Sequence, residues 1–139
     1  MKLHYEVAGD DFTRAGEASG AVKATLKRLG FPADVIRRVA IAMYEGEINM
    51  VIHADGGTAD VEISPDLITV TLTDRGPGIP DVEKAMQEGF STAPETVRNL
   101  GFGAGMGLPN IKRYTDTLKI DTEIGKGTTI HMTIAVPAR

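Results

Sequence analysis

The sequence predicts an α+β two-layer sandwich, a mixed but mostly antiparallel sheet covered by helices on one face. Three observations carry that expectation. Short stretches that alternate apolar and polar residues occur near the start, in the middle as an adjoining pair, and at the end as another pair. Two longer stretches with apolar residues three and four apart stand between the first strand and the middle pair. No repeat, low-complexity segment or linker interrupts the 139 residues, so 1–139 is read as one domain.

The elements follow in order. "LHYEVAG", Leu3 to Gly9, alternates as a strand does. Thr13 to Leu29 reads as a helix, with Ala15, Ala18, Val22, Leu26 and Leu29 along one face and Gly30 as its stop. Pro32 opens a second helix through "ADVIRRVAIAMYEGEINMVIHA", which "DGG" at Asp55 to Gly57 is expected to close. "TADVEIS" and "LITVTLTD" are strands joined by a tight turn at Pro65 and Asp66. A glycine and proline loop, "RGPGIPD", leads to a short helix over Asp81 to Glu88. Gly89 to Leu100 has no period and is read as a mobile loop. Leu108 to Tyr114 is a helix begun through Pro109, and "LKIDTEIGKGTTIHMTIAVP" is a hairpin turning at Gly125 to Gly127.

Composition excludes several classes of function. Fifteen Lys and Arg against nineteen Asp and Glu give a net charge of −4, the wrong sign for a phosphate-backbone binder. Aromatics are 5% with no tryptophan, too few for a base-stacking platform. With no cysteine there is neither a disulfide framework nor a thiolate metal site. No apolar run approaches the ~20 residues of a membrane span, and the polar start lacks a signal peptide's apolar core. The expectation is a cytoplasmic protein that engages neither nucleic acid nor membrane.

Four stretches carry possible chemistry. Glu45 and Asn49 lie four apart on the second helix and share a face. Ala42, Gly46 and Ile52 beside them are small or apolar, which suggests a core-facing side where a carboxylate and an amide need partners. The plain alternative is a solvated helix edge. Gly46 costs the helix ~1 kcal/mol relative to alanine and suggests close approach of another group. Asp74 ends an apolar strand ahead of Gly76 and Gly78. It suits either a ligand amine beside a flat ring or an ordinary Asp-x-Gly turn. "GFGAGMGL" places glycine at 101, 103, 105 and 107 and then turns helical, presenting backbone N–H groups and a helix dipole to phosphate. It is neither a Walker A loop nor the dinucleotide fingerprint, which needs G-x-G-x-x-G directly after a strand. In "GKGTT" one hydroxyl of Thr128 and Thr129 must point inward.

Together and in this order, these stretches resemble the GHKL ATPases, the superfamily of gyrase, heat-shock chaperones, histidine kinases and the MutL mismatch-repair proteins. Glu45-x-x-x-Asn49 resembles the N box. "DRGPG", "GFGAGMGL" and "GKGT" resemble the first, second and third glycine boxes. The resemblance runs from about Pro32 to Val136 and implies a Bergerat-type ATP-binding fold. "EGFSTAPE", "GAGMGLPNIKRYTD" and "GKGTTI" are further similar to the serine/threonine switch kinases of bacterial partner-switching pathways, the anti-sigma regulatory kinases. Histidine kinases carry their phosphorylated histidine on a dimerising helical hairpin ahead of this domain. Residues 1–31 hold one histidine, His4, and depart from that pattern.

The resemblance implies a role for each residue. Glu45 would be the general base for a seryl hydroxyl or a water. Asn49 would hold Mg²⁺ through its carbonyl oxygen, since magnesium needs few protein ligands beside phosphate oxygens and water. Asp74 would receive the adenine amine, with Gly76, Gly78 and Ile79 around the ring and Thr128 supporting both. Gly103, Gly105, Met106 and Gly107 would fold over the triphosphate, with Leu108 and Asn110 at the helix start beneath it. Gly89 to Phe102 would be a nucleotide lid, ordered by ATP and loosened by ADP. His53 would line the site or pack in the core. Arg98, Lys112 and Arg113 lie near the phosphates or are plain surface charges.

The function implied is a Mg-ATP-dependent serine/threonine kinase that phosphorylates a small antagonist protein, with a sigma factor or a phosphatase as a further partner. Two alternatives stay open: an ATP-dependent binding switch without significant kinase activity, and a detached histidine-kinase catalytic domain. Related switch kinases often dimerise, so a homodimer belongs to the implication, although no stretch of sequence argues for it.

Overall fold

β1 (Lys2–Ala8) and β2 (Gly56–Ile63) pair antiparallel although two helices separate them in the chain, α1 (Glu17–Arg28) and α2 (Ala33–His53). β3 (Leu67–Asp74) follows β2 through the short turn at Ser64 to Asp66, where the Ser64 N–H donates to the Leu67 carbonyl. Then come α3 (Gly107–Tyr114), β4 (Thr117–Glu123) and β5 (Gly127–Ala135). This is a computed structural model, and it describes residues 1–9, 14–53, 56–76, 86 and 107–137. The expected helix over Asp81 to Glu88 and the loop over Gly89 to Leu100 lie outside those residues, Met86 apart.

The sheet order is β1-β2-β3-β5-β4, and every described pairing is antiparallel. Alternation decides which face is covered. Val61, Val70, Leu72, Ile130 and Met132 point to the helical layer and are buried. The row His4, Asp60, Thr71, His131 and Lys119, matched residue for residue across all five strands, lies on the other face. The helices answer with Val22 and Leu26 of α1, Val35, Val39 and Met43 of α2, and Ile111 of α3, all nearly inaccessible. Each such side chain contributes about 1.5–3 kcal/mol by leaving water. That gives the two-layer α+β sandwich the patterning predicts.

Two boundaries differ from the sequence expectation. α1 begins at Glu17 and not at Thr13. Gly16 precedes it in a left-handed conformation, φ 96°, so the helical path cannot pass through that residue. Its end is as expected. Gly30 donates to the Lys27 carbonyl and Phe31 to the Leu26 carbonyl, a paired closure of the last turn. The second difference is "DGG", which does not simply close α2. Gly56 and Gly57 are the first residues of β2, paired with Ala8 and Val7 on one side, and Gly57 with Asp74 on the other. A Cβ on Gly57 would fall within van der Waals contact of the Thr73 carbonyl oxygen. The glycine is there for close backbone approach inside the sheet.

Candidate functional site

α2 places Glu45 and Asn49 one turn apart, and both are half-buried. The face beside them is a packed one, as the small residues suggest. Gly46 is buried, and a Cβ there would overlap Leu72 Cδ1 of β3, with Ile111 Cδ1 of α3 3.8 Å away. The missing side chain is therefore a notch into which β3 and α3 both press. This is the close approach the mid-helix glycine predicts.

α3 lies along that notch. Leu108 and Ile111 are buried on α2 and the sheet, while Asn110 stays half-buried. Asn110 Nδ2 donates to Glu45 Oε1 at 3.4 Å. Burial pushes the Glu45 carboxyl up from the ordinary glutamate value, and the Asn110 hydrogen bond opposes that rise. A carboxylate raised in this way is better suited to accept a proton near neutrality than a solvated one.

At the end of β3 a second cluster forms. Asp74 Oδ1 accepts the N–H of Gly76 at 2.9 Å and the N–H of Thr128 at 3.0 Å. The ordinary Asp-x-Gly turn is thus present, and β5 is tied into it. Thr128 is the inward hydroxyl of its pair, 6% exposed. It shares a hydrogen bond of 2.9 Å with the Thr122 hydroxyl across the hairpin. The Asp74 carboxylate is held rigid through one oxygen, which leaves Oδ2 available as an acceptor among the described residues. Leu72, under Gly46, is two residues before Asp74. Both clusters therefore stand at the same end of β3.

Of the residues singled out in the sequence, the structure brings together Glu45 and Asn49 on α2, Leu108 on α3, and Asp74, Gly76 and Thr128 at the strand ends. Gly107 is the first residue of α3. Gly78, Ile79, Gly103, Gly105, Met106 and Arg98 lie outside the described residues, as do the lid segment and the side chain of His53. Lys112 and Arg113 are exposed on α3. Among the described residues no three His, Cys, Asp or Glu gather as a metal cluster, and no helix is long and apolar enough to cross a membrane.

Spacing alone misses one residue. Glu47 is 2% exposed. Its carboxylate accepts three backbone N–H groups from the start of α1: Gly16 at 2.9 Å and Ala18 at 3.1 Å on Oε2, and Ser19 at 3.0 Å on Oε1. A buried anion facing a helix N-terminus meets donors and a favourable dipole together. The helix that carries Glu45 and Asn49 is fastened through Glu47 to the helix behind it. The sequence does hold a signal for it: Met43, Met50 and Val51, its helical neighbours, are all apolar.

Comparison with known proteins adds kinship to this geometry. The family described as histidine kinase-like ATPase domain matches residues 10–134. An anti-sigma F factor of Pasteuria penetrans is 32% identical over 133 residues, covering 88% of this chain and 85% of its own. The serine/threonine-protein kinase RsbT of Bacillus subtilis is 34% identical over 108 residues, with 75% of each chain covered. Among solved structures, the RsbU and RsbW domains of a Mycobacterium tuberculosis protein superpose with a TM-score of 0.66 at 18% identity. That match covers all of this chain and 34% of the other. The mycobacterial sensor histidine kinase MprB gives a TM-score of 0.55 at 19% identity over the whole of both chains. At such identities the two structures speak for the fold alone.

Proposed function

We propose a function that starts from a fact of descent: the chain belongs to the histidine kinase-like ATPase domain family. It is a serine/threonine kinase of the partner-switching kind, using ATP to phosphorylate a hydroxyl on a small protein partner. The reading is supported by the relatives named as anti-sigma F factor and as serine/threonine-protein kinase. The observation that carries it is the half-buried Glu45 carboxyl, raised by burial, one helical turn from Asn49 and opposite the start of α3.

In this reading Asp74 Oδ2 accepts the adenine amine while Oδ1 keeps the turn and β5 in place. The backbone ahead of α3 holds the phosphates. Asn49 and phosphate oxygens would fit magnesium, since the amide offers a hard oxygen donor. Bound there, the ion would supply charge neutralisation on the transferred phosphoryl group. Glu45 takes the proton from the partner's seryl or threonyl hydroxyl, whose oxygen bonds to the γ-phosphorus as the bond to the ADP oxygen breaks. The second partner freed or captured by that event is a sigma factor or a phosphatase.

Two measurements test this. Calorimetry in excess magnesium is expected to show binding of ATP and of ADP, and no heat for either removes the reading. Glu45→Ala is expected to keep nucleotide affinity and lose phosphoryl transfer. Unchanged transfer by that variant overturns the assignment of the base.

A further inference from the structure

We propose that Asn110 is the positioning residue of the phosphoryl-transfer site, its side-chain amide aiming the Glu45 carboxylate from the start of α3. The proposal rests on the reading of Glu45 as the base.

α3 has little freedom. Ile111 sits against the notch at Gly46 and is fully buried. At the other end the Tyr114 carbonyl accepts Arg38 Nε at 3.2 Å, and Arg38 Nη2 donates to Asp116 Oδ2 at 3.2 Å. The same Asp116 oxygen accepts the Ala135 N–H at 2.7 Å, which ties the clamp to β5. The Arg37 guanidinium lies 5.7 Å from the centre of the Tyr114 ring, a cation–π pair. Two consecutive arginines of α2 thus hold the last residue of α3 while Ile111 holds its middle. The helix is short, Gly107–Tyr114, and Leu108 in its first turn is buried as well.

Asn110 stands on that placed turn and touches Glu45 Oε1 at 3.4 Å. Glu45 has three rotatable bonds and, among the described residues, this one hydrogen bond. Without it the carboxylate samples several rotamers, and orientation of reacting groups is worth orders of magnitude in rate. At 3.4 Å the contact is at the long end of hydrogen-bond geometry, and a small shift of either side chain tightens it. Asn110 follows Gly107, the last glycine of the run, by three residues. The start of α3 and the Glu45 carboxylate are therefore held in register by one helical turn.

The test compares Asn110→Ala, Asn110→Gln and Asn110→Asp with the unaltered chain in steady-state Mg-ATP hydrolysis, alongside thermal midpoints. Removing the donor is expected to lower kcat about tenfold with KM for ATP changed less than about twofold. The longer amide of Asn110→Gln is expected to restore part of the loss. Asn110→Asp, which sets a second carboxylate against Glu45, is expected to fall below Asn110→Ala. A role confined to folding would make kcat follow the thermal midpoint through the series, and that result overturns the proposal, as does wild-type kcat in Asn110→Ala. In the nucleotide-free protein the Asn110 side-chain amide resonances are expected to move in Glu45→Ala, and unmoved resonances also overturn it. Glu45→Ala separates the two failures. If it keeps full turnover, or if the unaltered chain binds ATP without turning it over, the base reading falls and this proposal with it. If Glu45→Ala is inactive while Asn110→Ala is normal, only the positioning role is lost.

Discussion

Glu45 and Glu47 are two residues apart on one helix, yet the protein treats their charges in opposite ways. Glu47 is buried deeper and meets three N–H donors. Glu45 is half-buried and meets one amide at a long distance. The raised Glu45 carboxyl is a liability to folding. Its ionisation costs more in the folded chain than in the unfolded one, so stability is unaffected below the ordinary glutamate pKa and lost as pH rises through the folded value. Glu45→Gln is therefore expected to melt higher than the unaltered protein at pH 7. The gap should close as the pH falls toward the ordinary glutamate range, as a pH series of thermal midpoints will show. The trade is a familiar one for a group kept for chemistry. Glu47→Gln should do the reverse, since a neutral amide presents an N–H₂ to donors that need an acceptor. A loss of about 2–4 kcal/mol in urea unfolding is expected. Sequence spacing singles out Glu45 because its companion Asn49 is on the same helix. Periodicity within α2 marks Glu47 as buried, through Met43, Met50 and Val51, but does not show its partners, which are backbone groups of another helix.

Among the elements, glycine separates what a sequence shows from what it hides. Gly46 was legible as a sign of close packing, because a glycine inside a strong helical pattern needs a reason. Gly57 was not. A pair of glycines after a long helix looks like a stop, and its purpose lies across the sheet in the Thr73 carbonyl. The two sites differ in what an added methyl would strike. At Gly46 it is the tip of Leu72, a side chain that can shift at ~1–3 kcal/mol of overpacking, partly offset by ~1 kcal/mol of helix propensity. At Gly57 it is backbone held in a ladder on both sides. Gly57→Ala is expected to lose more stability than Gly46→Ala, by chemical denaturation, and to exceed about 3 kcal/mol. The start of α1 follows the same rule. Thr13 to Leu29 has a helical period throughout, but the left-handed Gly16 and the reach of Glu47 set where the helix begins.

At the scale of the whole molecule, a ligand held between α2, the strand ends and the start of α3 should fasten parts of the fold to one another. Mg-ATP at a hundred times its Kd is expected to add about 2.7 kcal/mol of stability. Glu45→Ala should keep that gain and Asp74→Ala should lose it, as thermal shift measured with and without nucleotide will show. The antiparallel sheet and its cover of helices were legible as patterning, and the order of the strands within the sheet was not. The tie between Asp74 and Thr128 was legible only as a shared role, because a bond spanning residues 74 to 128 is made by sheet order and not by spacing. That order has another consequence, for assembly. Among the described residues β1 finds its only ladder partner in β2, with residues 9–55 between them, and Met1, just ahead of β1, exchanges backbone bonds with Ile63. A ribosome releases this strand long before the strand it must lie against. Because α1 and α2 lie between the two strands in the chain, β1 is expected to pair late, along the rim. Native-state hydrogen exchange should find its amides opening before those of β3 and β5.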